Sequence, residues 1–162
     1  MESKRVSVFF KCWIGDVTPA IADVQIIPRN IISKNIVDKA CDIIGDDRDI
    51  MYPYIEYLTA DSNKKRVDNE IGIIWGMGFT VRNCYGQKCI IRHKDNWFIV
   101  VSEPDDLLII GTPWLWLFDI TLNLYREYFT VHHYHDEKIK IYSTKDEAEG
   151  DNNTQTAIVP LR

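Results

Sequence analysis

The chain has 162 residues, of which 46% are hydrophobic and 12% are aromatic. This composition is that of one globular domain and excludes a disordered chain. No apolar run reaches the length of a membrane span, and a net charge of −5 without a basic cluster argues against nucleic acid as a partner. We therefore expect neither a membrane nor a nucleic-acid partner.

The first residues show no targeting signal. Residues 6–10 form an apolar stretch that ends at Lys11 and is too short for the hydrophobic region of a signal peptide. The sequence as written therefore predicts a cytoplasmic protein. If it is a fragment of a longer precursor, we expect the secretory pathway instead.

Most of the chain is predicted to be β-structure, because short apolar runs alternate with turn residues. In residues 6–12 every second residue is apolar, as in a half-buried strand. Further strands are predicted at residues 20–22, 52–58, 71–75, 79–81, 89–91, 97–101, 107–110, 128–131 and 138–141. We expect about half of the residues to lie in strands.

One helix is predicted near residues 33–44, because apolar residues recur there at helical spacing. Ser33 can cap its start, and Gly45 can end it in the left-handed conformation. The end of the chain differs in composition, since residues 143–153 are rich in charge and lack periodicity. We therefore expect one domain at residues 1–142 and an acidic, disordered tail at residues 143–162.

Four cysteines, Cys12, Cys41, Cys84 and Cys89, form no CxxC pair and show no zinc-type spacing. Cys84 and Cys89 flank a short turn and could form a disulfide in an oxidising compartment. The simpler interpretation, which we favour, is that all four are buried or unreactive thiols.

A series of motifs surrounds Asp23 and Gly111. Asp23 ends a short apolar strand, and Pro28 and the predicted helix follow it. Further on, the apolar residues 107–110 end in Gly111, and an aromatic-Thr-Val strand at residues 128–131 and a hairpin strand at residues 138–141 come after. This order, over residues 6–142, resembles the carboxy-terminal lobe of pepsin-like aspartic proteases. The resemblance implies a mainly β fold, a single pepsin-like lobe with one or two helices, in which residues 20–23 run beside residues 107–110.

The resemblance makes Asp23 the catalytic carboxylate, but the Asp-Thr/Ser-Gly of the family reads Asp23-Val24-Gln25 here. Such a protease uses two carboxylates that share one proton, one from each lobe, whereas this chain supplies one. Val24 has no hydroxyl to cross-link two active loops, and Gln25 places a bulky side chain where glycine lets the backbone pass. A single Asp23 is expected to titrate as an ordinary carboxyl group that caps a turn.

Two polar clusters have simple interpretations. If His133 and His135 lie on one strand, they share a face and could bind zinc or copper with a third ligand such as Asp136, but a solvated hairpin end is favoured. Residues 103–106 contain three carboxylates without EF-hand spacing, so a solvated turn is favoured over a calcium site. We expect no metal and no cofactor.

An insertion near residues 114–124 separates Gly111 from the strand that follows it in the family. It contains Trp114-Leu115-Trp116-Leu117-Phe118, which is apolar at every position. Such a run either covers the face that the lobe leaves open or forms an interface. We expect a homodimer or a protein partner.

These observations predict a catalytically degenerate aspartic-protease homologue that acts as a binding module for a protein or peptide. One alternative is an aspartic endopeptidase whose site is assembled across a homodimer, as in retroviral-type proteases. A second alternative is an unrelated β-rich interaction protein whose resemblance to the family is accidental. The missing hydroxyl and the missing glycine favour the first hypothesis.

Overall fold

The structure is a computed structural model that describes residues 7–15, 18–44, 54–57 and 69–150. Within these residues the fold is mainly β, with 47% strand and three helices, which confirms the predicted fold class. None of the described helices is long and apolar enough to cross a membrane. Several positions with a predicted structure lie outside the described residues, namely 6, 45, 52, 53, 58 and 151–162.

Strands occupy most of the described chain, and every strand predicted from the sequence is present. The strands are β1 (Val8–Ile14), β2 (Thr18–Val24), β3 (Ile31–Ser33), β4 (Tyr54–Tyr57), β5 (Glu70–Trp75), β6 (Phe79–Arg82), β7 (Lys88–Ile91), β8 (Trp97–Val101), β9 (Leu108–Ile110), β10 (Ile120–Asn123), β11 (Tyr128–Val131) and β12 (Glu137–Lys140). The helices are α1 (Lys34–Ile44), α2 (Thr112–Leu117) and α3 (Lys145–Gly150). Helix α2 and strand β10 occupy the predicted insertion.

The strands form a curled nine-stranded sheet and a three-stranded sheet. The order in the larger sheet is β4-β5-β8-β3-β9-β2-β1-β6-β7, and the order in the smaller sheet is β10-β11-β12. Strand β9 is parallel to β2 on one side and antiparallel to β3 on the other. Backbone pairing of Phe9 with Tyr142 and of Asn83 with Ile139 joins the two sheets.

The core is built on aromatic side chains from both sheets and from the α2 region. The ring centroid of Trp114 lies 5.9 Å from Phe10, 5.8 Å from Phe79, 4.9 Å from Phe118 and 6.2 Å from Phe129. All five side chains are at most 1% exposed, so the insertion contributes to the core of the domain.

One prediction near α3 is corrected. Ser33 ends β3 and directly precedes α1, and its hydroxyl accepts a hydrogen bond from the backbone N–H of Leu107 at 3.0 Å, so its role as a helix cap stays a prediction. Residues 145–150, predicted to be disordered, form α3, which packs on β1 and β2 and buries Ala148 completely. A single buried alanine in a charged segment gives no periodicity to detect. The domain boundary at residue 142 stays a prediction.

Candidate active site around Asp23

Asp23 lies where the chain leaves β2 and crosses the end of β9. Asp23 pairs with Ile109 and Val24 pairs with Ile110, which confirms that the two predicted segments run side by side. After Val24 the chain passes over the end of β9 and returns as β3 on its other side. We call residues 25–30, which make this passage, the crossing loop. Strand β9 therefore lies between the two strands that the crossing loop connects.

Backbone and side-chain hydrogen bonds hold the crossing loop against the end of β9 and the start of α2. The N–H of Gln25 donates to the carbonyl of Ile110 at 2.9 Å, and the N–H of Thr112 donates to the carbonyl of Ile27 at 2.8 Å. The side-chain oxygen of Asn30 accepts the N–H of Gly111 at 2.8 Å. Asn30 was not among the predicted site residues, although a buried asparagine requires such hydrogen-bond partners.

Gly111 is where the crossing loop comes closest to β9. A Cβ atom added to Gly111 would lie 2.0 Å from the carbonyl oxygen of Arg29 and 2.5 Å from that of Ile27. The φ angle of Gly111 is −103°, which any residue can adopt, so the requirement for glycine is one of space. The apolar-apolar-Gly motif therefore has a direct structural role in this chain.

Asp23 is half-buried, and its two carboxylate oxygens have different environments. Oδ2 accepts a hydrogen bond from Nε2 of Gln25 at 2.7 Å. Oδ1 is buried and has no hydrogen-bond partner among the described residues. Burial raises the pKa of Asp23, while the Gln25 hydrogen bond and the Lys145 ammonium oppose that rise. The prediction that Asp23 titrates as an ordinary, turn-capping carboxylate is therefore corrected, because Asp23 lies within β2 and is partly desolvated.

Val24 and Gln25, which stand where the family has Thr/Ser and Gly, do not make the contacts that the family's residues make. Val24 is 2% exposed and packs in the core, on the opposite face of β2 from Asp23. The side chain of Gln25 folds back onto Asp23 within the same chain. The site thus offers one carboxylate that can hold a proton. Within the described residues, no second carboxylate is among the groups that shift its pKa.

The histidine cluster lies in the exposed turn at residues 132–136 that connects the paired strands β11 and β12, which confirms the favoured interpretation of a solvated hairpin end. His132 is engaged on both ring nitrogens, with Nδ1 at 2.8 Å from Oδ1 of Asp136 and Nε2 at 2.7 Å from Oγ1 of Thr121. Over the described part of the chain, no group of three or more His, Cys, Asp or Glu side chains is arranged to hold a metal.

Two of the three carboxylates at residues 103–106 contact other parts of the fold. Oε1 of Glu103 accepts a hydrogen bond from Nδ2 of Asn69 at 2.7 Å, and Oδ2 of Asp106 lies 3.2 Å from Nζ of Lys39. The backbone carbonyl of Pro104 accepts a hydrogen bond from Nδ2 of Asn35 at 2.7 Å. These contacts tie the loop before β9 to α1 and to the start of β5.

Cys84 and Cys89 are free thiols. Cys84 lies in the turn of the β6–β7 hairpin, and Cys89 lies in β7 opposite Val81. Burial and the neighbouring Glu137 raise the pKa of the Cys89 thiol to about 11, so it is protonated at neutral pH.

No protein-family model matches the sequence, and no curated protein sequence matches it. Among solved structures, the retroviral protease-like domain of Ddi1 from Leishmania major is similar, with a TM-score of 0.52 and 15% identity. The similarity covers 87% of this chain and 95% of that one. At this identity it shows the fold alone, so the chain has a retroviral-protease-like aspartic-protease fold.

Proposed function

We propose that this chain is a catalytically degenerate relative of aspartic proteases that binds a protein or peptide without cutting it. The observation that carries the proposal is the state of the crossing loop. The crossing is complete, yet its tripeptide is Asp23-Val24-Gln25, and the Gln25 side chain bonds to the Asp23 carboxylate. The backbone framework of the site is thus present, but two of the three residues of the family's Asp-Thr/Ser-Gly motif are replaced.

The chemistry gives the reason for inactivity. Hydrolysis by a carboxylate pair needs two close carboxylates, because only then does one stay protonated as the acid while the other acts as the base. One chain supplies one Asp23. In a symmetric pair, the two Gln25 side chains would stand beside the two carboxylates and keep them apart. The buried Val24 offers no hydroxyl to link the two loops.

Within this fold we assign the chain to the pepsin type of lobe. The support is the order along the chain of Asp23, Pro28, helix α1, the apolar strands β5 and β6 with glycines between them, and Gly111. The assignment rests on motif order, and a sequence relative with an intact Asp-Thr-Gly and a second lobe would test it directly.

One observation favours an aspartic endopeptidase assembled across a homodimer as the second candidate. Asp23 is at the crossing, and the raised pKa of its carboxyl favours the protonated form that one member of a catalytic pair must have. This candidate needs a second copy to provide the other carboxylate, and it needs Gln25 to move away from Asp23.

A proteolysis assay separates the two candidates. We expect the purified chain to leave unfolded protein intact at acid pH, and pepstatin-type inhibitors to leave its melting temperature unchanged. Acid proteolysis that disappears in Asp23→Ala would contradict the proposal and support the endopeptidase. In the converse test, Val24→Thr with Gln25→Gly restores the family tripeptide. Activity in that variant, abolished by adding Asp23→Ala, would show that the two replacements are what silence the site.

A further inference from the structure

A cleft of about 230 Å³ opens where α1 and α3 meet the β1–β2 hairpin. Its inner wall is apolar and includes Ile21 of β2 and Ile36 of α1. Its rim is charged and carries Lys11, Asp106, Lys145 and Glu149. The cleft is smaller than the roughly 300–1,000 Å³ that encloses a whole drug-sized ligand. It therefore suits one side chain of a larger ligand.

The rim offers charges of both signs. Lys145 and Glu149 stand four residues apart on α3, yet neither forms an ion pair with another described residue. Lys11 lies over the ring of Trp13, at 5.7 Å from the ring centroid, and likewise has no ion pair within the described ranges. Asp106 is within 3.2 Å of Nζ of Lys39, an exposed pair of the kind that contributes little to stability. Two ammonium groups and two carboxylates thus surround an apolar wall.

This arrangement complements a peptide that presents an aliphatic side chain between an acidic and a basic residue. We propose that the cleft binds such a segment, with the aliphatic side chain against Ile21 and Ile36, the acidic residue at Lys11 and Lys145, and the basic residue at Glu149 and Asp106. The inference rests on the proposed peptide-binding function and supplies its site and the class of its ligand. Three of the four charged residues are exposed and Lys11 is half-buried, so these charges contribute more to the choice of peptide sequence than to affinity.

The cleft is separate from the crossing loop but close to it. Ile21 precedes Asp23 by two residues on the same face of β2, and Lys145 borders the cleft while its charge acts on Asp23. An acidic residue bound at Lys145 would therefore offset the positive charge that stabilises the ionised Asp23 carboxylate. Ligand binding is therefore expected to raise the pKa of Asp23 further.

The test uses short peptides with blocked ends and the full chain, followed by nuclear magnetic resonance titration up to about 1 mM. We expect a peptide centred on Glu-Leu-Lys to shift the amide signals of Ile21 and of Ala148 on α3. Glu-Ser-Lys, which lacks the aliphatic group, and Gln-Leu-Gln, which lacks the charges, are expected to bind at least about tenfold more weakly. Added salt should weaken binding of Glu-Leu-Lys and leave Gln-Leu-Gln unchanged.

Variants on the rim locate the site. The double change Lys11→Gln with Lys145→Gln is expected to weaken Glu-Leu-Lys binding by about tenfold or more, whereas Lys94→Gln, an exposed lysine of the turn before β8, leaves it unchanged. Melting temperatures of all variants should match, because the substituted side chains are at the surface.

Three outcomes would overturn the inference: equal binding of the serine peptide, no binding at all, or binding that survives the double change. If another peptide binds and its binding survives the double change, the peptide-binding function stands without this site. Cleavage of any peptide, detected by mass spectrometry, would overturn the proposed function itself.

Discussion

At the scale of single residues, Gly111 has a position that leaves no space for a side chain. The carbonyls of Arg29 and Ile27 leave no room for a Cβ atom there, and both belong to the backbone of a loop that is hydrogen-bonded on both sides. We expect Gly111→Ala to lower the free energy of unfolding by about 3 kcal/mol, because the loop must move away from β9. Urea unfolding followed by circular dichroism measures the loss.

Gly78 provides the matched control. A Cβ atom at Gly78 meets only the Arg92 side chain, at 3.5 Å from Cδ, an ordinary contact with a flexible group. Gly78→Ala is therefore expected to change the unfolding free energy by less than about 0.5 kcal/mol. Similar losses in the two variants would show that the crossing loop is not packed on Gly111 as described.

Asp23 should affect stability in a pH-dependent way, because burial raises its pKa above the ordinary value of 3.8. Below that value the carboxyl is protonated in both the folded and the unfolded chain, so it contributes nothing. As the pH rises, the unfolded chain loses its proton first, and stability falls until the folded carboxyl is also ionised. Asp23→Asn stays neutral. It is therefore expected to be as stable as the natural chain near pH 3 and more stable near pH 7, by up to about 1 kcal/mol.

Urea unfolding of both proteins between about pH 3 and about pH 7 tests this expectation. Asp105→Asn is the control, since Asp105 is exposed on the loop before β9. An advantage of Asp23→Asn that is largest at acid pH would contradict the described burial. Such a result would mean that the carboxylate gains a partner when it ionises.

At the scale of elements, α3 is a small but integral part of the domain. Ala148 is completely buried against β1 and β2, and the remaining described residues of α3 are exposed. We expect Ala148→Asp to lower the unfolding free energy by about 2 kcal/mol or more, because the new carboxylate is buried without a partner. Asp146→Ala, on the exposed side of the same helix, should cost less than about 0.5 kcal/mol. Equal, small effects in both would show that α3 does not dock and that the disordered tail begins at residue 143.

The sequence was informative about elements wherever burial is one-sided or complete. Strands β1 and β2, the helix α1 and the apolar run before Gly111 could be predicted from period and from glycine. The pairing of Asp23 with Ile109 was implied by the resemblance of the motif order to a pepsin-like lobe. The run at residues 114–118 could not be interpreted, since a segment that is apolar at every position does not show which side faces the core. The hydrogen bond from Gln25 to Asp23 depends on how the crossing loop folds, and no local pattern encodes it.

At the scale of the whole molecule, one surface combines the crossing loop with the insertion. Trp116 is 81% exposed and Ile26 of the crossing loop is 65% exposed, while Trp114, two residues before Trp116, is completely buried. The hydrogen bond from Thr112 to Ile27 brings α2 and the crossing loop together. A shallow depression of about 320 Å³ beside them is lined by Trp97, Pro113, Trp116 and Leu117 among others. The insertion thus fills the core with one tryptophan and exposes another.

An exposed tryptophan beside other apolar residues is typical of an interface, since covering apolar surface contributes about 25 cal/mol per Å² before the cost of association. We expect a second copy of the chain to cover this surface in a homodimer. A different protein that covers the same surface is the alternative. Sedimentation at micromolar concentration should show a dimer that Trp116→Lys converts to a monomer.

The stability of the monomer distinguishes an interface from a core contact. At concentrations low enough for dissociation, Trp116→Lys should leave the unfolding free energy within about 0.5 kcal/mol of the natural chain, because the side chain meets solvent there. Trp114→Ala, in the same helix, should lose about 3–5 kcal/mol, as expected for a tryptophan removed from a packed core. If the natural chain is a monomer at every concentration and Trp116→Lys lowers its stability, the surface belongs to the domain itself. The homodimer, and with it the endopeptidase that would need a second Asp23, would then be excluded.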